Sequence, residues 1–533
     1  MSDLLFRGAT VVDGSGADRY RADVLVADGE IAEIGQGLTA RQIVDADGLV
    51  LAPGFIDMHA HSDLRMLAEP AHPSRVTQGV TCEVLGQDGL SYAPVDDTTL
   101  AQLRRQLAGW NGDPADFAWD WRTVGQYLDR LDAGVAVNAC YLVPHGSLRM
   151  LVLGWQDRRP SPAELDRMRE LLAQGLREGA VGMSSGLTYT PGMYADTAEL
   201  VALCEVVAAH GGYHSPHQRS YGAGALEGYA EMVEISRRSG CPLHLAHATM
   251  NFGVNQGRAG ELLALLDQAI ADGCDLTLDS YPYLPGSTTL AALLPSWAAE
   301  GGPASTLRRL ADPGDRERIR YEVEVKGSDG CHGVVTDWST IQISGVRNER
   351  LTPVIGRTVA QLAAERRTSG TEVFFELLRE DELGTTILQH VGHEENVRAI
   401  MRHPAHTVGS DGLLVGARPH PRGWGTFPRY LGHYSRELGV LTLEETVARM
   451  TGRPARRLRL DRRGLIRPGH HADLVLFDPL TVRDTATFDH PRRPAAGIQH
   501  VYVNGVAVLR DTRPTGALPG RALRRTAEGT RAR

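Results

Sequence analysis

Two histidines near position 60 have a spacing that suits a metal site. His59 and His61 end the segment PGFIDMHAH, which spans residues 53–61. Side chains two positions apart on a β-strand point to the same side of it, so these two imidazoles can reach one cation. Histidine pairs with this spacing also occur without a metal, and the prediction therefore depends on ligands from other parts of the chain.

Three further residues of metal-binding types each follow a short apolar run. His217 and His247 end two such runs, and Asp411 follows a third within a Gly-Ser-Asp-Gly segment. Taken alone, each is more often structural, as a hydrogen-bonded histidine or as part of a polar turn. His214 and His244 are rival ligands, but an offset of three residues on an extended strand points them to the opposite side.

Together these residues predict metal-assisted hydrolysis. Coordination to a divalent cation lowers the pKa of water towards about 7, which makes hydroxide available at neutral pH. An aspartate such as Asp411 can bind the cation through one carboxylate oxygen and take the proton of water with the other. We therefore expect Asp411 to be both a ligand and the general base.

Eight apolar runs alternate with helical patterns, an arrangement that predicts an α/β fold with a (β/α)₈ barrel of the TIM type. Active sites of such barrels lie at the carboxyl ends of the strands, where the histidines and Asp411 stand. The eight predicted strands lie near residues 54–61, 80–86, 135–145, 180–185, 211–217, 243–247, 275–283 and 407–411.

Short strands with Asp-Gly and Asn-Gly turns at both chain ends predict a small β-sandwich domain. We expect residues 1–51 and 463–515 to form it, on either side of a barrel that spans residues 52–462. The arginine-rich residues 516–533 are predicted to be a loosely held tail.

The regular spacing is interrupted once, between the seventh and eighth predicted strands. An insertion of about residues 285–400 follows the seventh. Within it we expect a strand pair near residues 323–325 and 333–335 and a helical stretch near 359–378. Long segments over the catalytic face of a barrel often act as lids, and we expect that role here.

The overall composition favours an enzyme that acts on small molecules. The 65 acidic and 56 basic residues give a net charge of -9, so there is no global positive field for nucleic acid. No apolar run is long enough to span a membrane, and no membrane partner is expected. Six scattered cysteines and no signal-peptide pattern predict a reducing cytoplasm, while a homo-oligomer remains open.

The strand with two histidines, the later single histidines and the aspartate on strand eight resemble the amidohydrolase superfamily. Four further segments, residues 186–195, 279–288, 409–412 and 425–429, are similar to motifs of the N-acyl-D-amino-acid deacylases, also called D-aminoacylases. The resemblance covers nearly the whole chain. It implies hydrolysis of the N-acyl group from a D-amino acid with one or two zinc ions, and manganese or another divalent ion also remains open.

One ligand position departs from the pattern of that family. Its members have a zinc-binding cysteine in a Gly-Asn-Cys-Gly turn after strand two, where this chain has Gly-Gln-Asp-Gly. The resemblance therefore implies Asp88 as the ligand, and Cys82 and Glu83, in the middle of the strand, are weaker alternatives. Other superfamily members use a carboxylated lysine on strand four, but the single lysine, Lys326, lies in the insertion.

The predicted site thus consists of two groups of ligands. A metal is expected at Asp88, His217 and His247, with a second, weaker position near His59, His61 and Asp411.

Four residues are candidates for substrate binding. Tyr281 and Ser287 match family positions that line the substrate pocket. Arg422 can pair with a carboxylate through two hydrogen bonds, although it can equally be one of many surface arginines. His145 ends the third predicted strand near the barrel mouth. After His247 the family often has His-His-Lys where this chain has His-Ala-Thr, so any role of that lysine is absent here.

These expectations define one main hypothesis and two alternatives. The main hypothesis is deacylation of an N-acyl-D-amino acid or a related N-acyl compound. The first alternative is a cyclic-amide hydrolase of the same superfamily, similar to dihydroorotase or hydantoinase. The second is a barrel that has lost catalysis and serves as a binding or assembly protein, since a fold does not guarantee an activity.

Overall fold

Eight short, buried segments pair as parallel strands in the order of the chain. The computed structural model describes residues 3–532 of the chain. The first and eighth strands meet through a hydrogen bond of 3.1 Å from the Met58 amide to the Val408 carbonyl and a bridge between Ala60 and Gly412, which closes the barrel at its carboxyl end. The predicted barrel is confirmed. Its strands are Phe55–Asp57, Val80–Leu85, Asn138–Pro144, Gly182–Gly186, Tyr213–His217, Leu243–Leu245, Leu276–Ser280 and His406–Val408.

Helices follow the strands and cover the outside of the barrel. Helix Pro162–Arg177 illustrates why they form where they do, because Ser161 and Glu164 make a capping box at its start, while Met168 and Leu172 lie on its buried side. The barrel helices are Arg65–Ala68, Pro73–Val76, Asp97–Gln106, Ala108–Asn111, Val124–Asp132, His145–Leu153, Pro162–Arg177, Thr197–Ala209, Ala225–Ser239, Ala259–Ala271, Glu394–Arg402, Arg422–Arg429, Leu443–Met450 and Gly452–Leu458.

The two chain ends form one separate sheet beside the barrel. Strand Val50–Pro53 pairs antiparallel with Leu474–Phe477, so the sheet joins the first and last parts of the chain. The predicted Asn-Gly turn is present, because Asn504 and Gly505 both have positive φ between two paired strands. The nine strands are Leu4–Val11, Tyr20–Ala27, Glu30–Gly35, Gln42–Asp45, Val50–Pro53, Leu474–Phe477, Ile498–Val503, Val506–Arg510 and Arg513–Pro514.

The insertion between the seventh and eighth barrel strands has a hydrophobic core of its own, which contains Leu310, Ile343 and Phe374. It consists of a three-stranded antiparallel sheet and five helices. The strands are Gly286–Thr289, Thr386–Gln389 and Ile341–Gly345, and the helices are Ser296–Ala299, Pro303–Arg309, Pro313–Tyr321, Val359–Arg366 and Gly370–Glu380.

Two expectations for the insertion need correction. The strand pair near residues 323–325 and 333–335 is wrong, because Glu322–Lys326 continues the preceding helix as a wide turn and residues 333–335 form no strand. Alternating apolar and charged residues over so short a segment fit a helix that buries Val323 and exposes Val325. The helical stretch near 359–378 is present as two helices, because Arg367 adopts a left-handed conformation between them.

The last part of the chain is packed against the barrel, so the expectation of a loose tail over residues 516–533 is also wrong. Leu523 is fully buried, and its amide donates to the carbonyl of Ala139 at the start of the third barrel strand. Arg524 is buried as well and pairs with Asp129 and Asp132. Residues 1, 2 and 533 lie outside the described residues, which contain no helix with the length and apolar character needed to cross a membrane.

Candidate metal centre

The six predicted ligands converge at the carboxyl end of the barrel. All of them are buried, with at most 7% of their surface exposed. They form two groups, and Asp88 belongs to both. Within each group, all ligand atoms lie within 4.8 Å of one another. The first group is His59, His61, Asp88 and Asp411, and the second is Asp88, His217 and His247.

The carboxylate of Asp88 connects the two groups, because each of its oxygens faces one histidine of each group. Its Oδ1 lies 3.4 Å from His59 Nε2 and 3.5 Å from His247 Nε2. Its Oδ2 lies 3.4 Å from both His61 Nε2 and His217 Nδ1. This is the arrangement expected of a carboxylate that bridges two neighbouring cations.

Asp411 lies on the side of the first group. Its Oδ1 is 3.1 Å from His61 Nε2 and 3.7 Å from His59 Nε2, and its Oδ2 is 3.0 Å from Nη1 of Arg422. Burial alone raises the pKa of Asp411, but Arg422 and His61 lower it below the usual range. Hydrogen bonds to Asp411 and Asp88 also outweigh the effect of burial on His61 and raise the pKa of that ring to about 10.

The pKa of Asp88 is subject to the same two opposing effects. Burial favours its neutral form, whereas the rings of His59, His217 and His247 lower its pKa well below the usual value. Both carboxylates of the site are therefore ionised, which suits a cation.

A tight turn after the second strand places Asp88. The residue has a φ of 55°, a left-handed conformation that aspartate tolerates better than most residues. The turn lies directly against the fourth strand, since a Cβ atom on Gly186 would overlap the carbonyl oxygen of Asp88. In addition, the amide of Gly89 donates to Ser184 Oγ at 3.0 Å.

The alternative ligands lie outside both groups. His214 contacts Ser185 Oγ through Nε2 at 2.8 Å, on the opposite side of its strand from His217. Cys82 packs into an apolar cluster, and Glu83 is paired with the buried Arg75.

Asp279, at the end of the seventh strand, contacts candidate ligands that follow two other strands. Its Oδ2 lies 3.7 Å from His59 Nδ1 and 3.0 Å from His244 Nε2. Its Oδ1 accepts a hydrogen bond of 3.0 Å from the amide of His247. A carboxylate behind a metal-binding histidine fixes the ring orientation and increases its basicity. Sequence reasoning missed this role, although the residue stands at a strand end like the ligands themselves.

Asp57 and Thr188 give similar support. The Oδ1 of Asp57 accepts hydrogen bonds from the amides of His59 at 3.2 Å and Ser410 at 2.8 Å, which ties the first and eighth strands together. Thr188 Oγ1 lies 2.6 Å from His217 Nε2, which leaves Nδ1 of that ring directed at Asp88.

The donor set fits a divalent metal. Asp88 Oδ1 and His217 Nδ1 are buried and have no hydrogen-bond partner, an arrangement that costs about 1 to 3 kcal/mol for each unsatisfied group. A cation between them would satisfy both atoms. Nitrogen and oxygen ligands of this kind suit zinc, and the carboxylate in place of a thiolate also permits harder divalent ions.

A pocket lies in front of the two groups and is partly covered by the insertion. Tyr281 and Ser287, both predicted to contact substrate, line it together with Trp110. The insertion also contributes Leu293 and His332 to the walls. The insertion thus lies where a lid is expected.

The two other predicted substrate residues differ in their placement. Arg422 is 1% exposed and lies with its Cζ 4.4 Å from the centre of the Tyr281 ring, beside Asp411. His145 does not reach the pocket, because the third strand ends at residue 144 and helix His145–Leu153 begins there. Its ring lies instead with Nε2 2.8 Å from Glu199 Oε1.

The sequence and the fold of this chain are similar to those of known proteins. A model of the amidohydrolase family matches residues 42–509. The D-aminoacylase of Alcaligenes xylosoxydans xylosoxydans is 36% identical over 528 residues, which is 98% of each chain. The structure of N-acyl-D-glutamate deacylase from Bordetella bronchiseptica is 34% identical, with a TM-score of 0.84 over 98% of this chain and 100% of that chain. That structure contains zinc and a phosphonate inhibitor that mimics the tetrahedral intermediate of the reaction.

A D-aminoacylase structure with a binuclear metal centre, described as having one-metal activation and second-metal attenuation, is 35% identical, with a TM-score of 0.83 over the same shares. The chain therefore belongs to the amidohydrolase family and, within it, to the N-acyl-D-amino-acid deacylases.

Proposed function

We propose that this protein is a zinc-dependent deacylase that hydrolyses the linear amide bond of N-acyl-D-amino acids. The observation that carries the proposal is the bridging position of Asp88 between two groups of buried ligand atoms. The preference for linear amides of D-amino acids is inferred from the relatives of known activity, which match the whole length of the chain.

Two metal positions are proposed. Asp88, His217 and His247 would hold one ion, while His59, His61 and Asp411 would hold a second, weaker one with Asp88 shared between them. A cation bound there would supply a Lewis acid and lower the pKa of water towards about 7.

Asp411 is the proposed general base and acid. Its ionised carboxylate accepts a proton from water as the water oxygen forms a bond with the acyl carbon. The C–N bond then breaks, and Asp411 returns the proton to the leaving nitrogen. The products are a carboxylic acid and a free amino acid, so atoms and protons balance without a further reactant.

Arg422, Tyr281 and Ser287 are proposed to hold the α-carboxylate of the substrate. The Nε of Arg422 is buried without a hydrogen-bond partner, so the guanidinium can accept a further anionic ligand while Nη1 faces Asp411. An arginine that contacts both the substrate and the general base would couple their positions. His145 is not included in this proposal, because it lies against Glu199.

A substrate panel with metal analysis tests the proposed function. Zinc-loaded protein should hydrolyse N-acetyl-D-amino acids, leave the L-enantiomers nearly untouched and ignore cyclic ureides such as hydantoins and dihydroorotate. Preferential opening of a cyclic ureide would replace the proposal with the cyclic-amide alternative. Failure to bind zinc, manganese or another divalent ion, together with the absence of any hydrolysis, would indicate a barrel without catalysis.

A cytoplasmic location is also proposed. All six cysteines are free, and five of them are buried. Unpaired cysteines are typical of proteins from a reducing compartment.

A further inference from the structure

A second cavity lies beside the metal-binding pocket, between the barrel and the insertion. Its volume is about 530 Å³, whereas the space in the metal-binding pocket itself is about 70 Å³. Thr188, Tyr189 and Ala292 line both spaces, so the two are direct neighbours. Sites for small organic ligands typically occupy about 300 to 1,000 Å³, a range that includes the second cavity.

The second cavity is lined by both apolar and polar residues, and its charged residues, Arg105, Arg347 and Glu382, are exposed. Its lining includes Trp155, Met193, Leu294, Leu307 and Leu383. The indole N–H of Trp155 already has a hydrogen-bond partner, because it donates to Gln102 Oε1 at 3.2 Å. The rest of the indole is available for apolar contact. The apolar part of the wall suits a hydrocarbon chain.

Tyr189 separates the two spaces. Its hydroxyl lies 3.0 Å from Thr288 Oγ1, and its ring centre lies 5.1 Å from that of Trp110 and 4.8 Å from that of His217. A group that extends from the ligand side past Tyr189 therefore enters the second cavity.

We propose that the second cavity binds the acyl chain of the substrate, so that the protein acts best on N-acyl-D-amino acids with aliphatic acyl groups of roughly eight or more carbons. This inference rests on the proposed function. It adds the chemical class of the acyl group, with the amino-acid part held by Arg422 and the hydrocarbon part held by the cavity.

A chain-length series provides the first test. The zinc-loaded protein is assayed with N-acetyl-, N-butanoyl-, N-octanoyl- and N-decanoyl-D-leucine below their micelle concentrations. We expect kcat/KM to rise with length, by up to about fourfold for each methylene that becomes buried. Hydrolysis of N-acetyl-D-leucine with a flat or falling series would overturn the acyl-chain site and leave the proposed deacylase function intact.

A matched pair of substitutions tests whether the acyl chain binds in the second cavity. Ala304 and Leu307 are three positions apart on helix Pro303–Arg309, so they share a face, and both line the cavity. Ala304→Trp should lower kcat/KM for N-decanoyl-D-leucine by at least about tenfold and leave the value for the N-acetyl substrate within about twofold. Ala364→Trp, at an exposed position on another helix of the insertion, should change neither value.

A second variant keeps the test informative should Ala304→Trp fold poorly. Leu307→Ala widens the cavity and should shift the preferred chain to a longer one. Unchanged chain-length profiles in both variants, with normal unfolding midpoints, would place the acyl chain elsewhere.

A binding measurement without catalysis distinguishes the acyl-chain cavity from the proposed deacylase function. Calorimetry with metal-free protein should show tighter binding of N-decanoyl-D-leucine than of N-acetyl-D-leucine, and Ala304→Trp should remove the difference. Equal affinities for the two compounds would contradict the cavity assignment. A protein that binds the longer compound but hydrolyses no N-acyl-amino acid of any length would contradict the proposed function alone.

Discussion

The carboxylate of Asp88 faces four histidines, two through each oxygen, and this position makes it the most informative residue of the site. A residue that belongs to only one group can affect only one metal position. Removal of Asp88 instead takes a proposed ligand from both groups. The site therefore offers a direct way to separate a bridging ligand from a terminal one.

The first prediction concerns this bridge. Asp88→Ala should weaken zinc binding at both positions, each by at least about tenfold, whereas His217→Ala should affect mainly the second group. The measurement is zinc per chain after dialysis against graded chelator. Two retained zinc ions in Asp88→Ala would contradict the bridge.

Asp88→Cys extends the same test. A thiolate is a softer ligand than a carboxylate and should hold zinc at least as well as Asp88, while manganese binding should weaken. Competition between the two metals in the variant and the parent protein measures this shift.

The second prediction concerns Asp411. Asp411→Asn keeps the shape of the side chain but cannot accept the proton of water, so kcat should fall by about 10²- to 10⁴-fold. The unfolding midpoint should stay close to that of the parent protein, and zinc in the second group should be retained. A variant with most of its activity would rule out Asp411 as the general base.

Residues with a strand-end position and a metal-binding side chain could be predicted from sequence. His59 and His61 were expected from the two-residue repeat of a strand, and they lie just beyond its end at Asp57. His217, His247 and Asp411 were expected from the ends of apolar runs. Asp88 required the family resemblance, because nothing in its turn indicates a ligand. The supporting contacts of Asp279 could not be predicted, since a hydrogen bond across two strands leaves no spacing pattern in the chain.

At the scale of elements, the position of the Asp88 turn depends on its close approach to the fourth strand. The third prediction is that Gly186→Ala pushes this turn outward, because the new Cβ would overlap the Asp88 carbonyl oxygen. Zinc affinity and kcat should both fall, by about tenfold or more. Gly260→Ala is the matched control, since a Cβ there meets no atom within 4 Å, and it should leave both quantities unchanged.

Elements with long, regular patterns were predictable, and those fixed by distant contacts were not. Each of the eight barrel strands overlaps one of the eight predicted runs, because most of them are apolar segments followed by polar residues. The alternation in Glu322–Lys326 was misleading, since five residues cannot distinguish a strand from the end of a helix. The contacts of Leu523 with the third strand were missed because its partner Ala139 is nearly four hundred residues away in the sequence.

At the scale of the whole molecule, the final residues act as part of the barrel. The fourth prediction is that Leu523→Ala lowers the free energy of unfolding by about 2 to 5 kcal/mol, the usual cost of removing a buried leucine side chain. Leu518→Ala should change it by less than about 0.5 kcal/mol, because Leu518 is 38% exposed. Urea unfolding followed by fluorescence measures the free energy of unfolding of both variants. A change as small for Leu523→Ala as for Leu518→Ala would show that the packing of the tail contributes little to stability.

The pairing of Val50–Pro53 with Leu474–Phe477 has a consequence for how the chain is made. The amino-terminal strand leaves the ribosome long before its partner exists, and at about 5 to 20 residues per second the delay is roughly 20 to 80 seconds. During that interval an apolar strand edge is open to other nascent chains. The protein should therefore depend on chaperones during translation more than on refolding help afterwards, and slower elongation should increase the aggregated fraction.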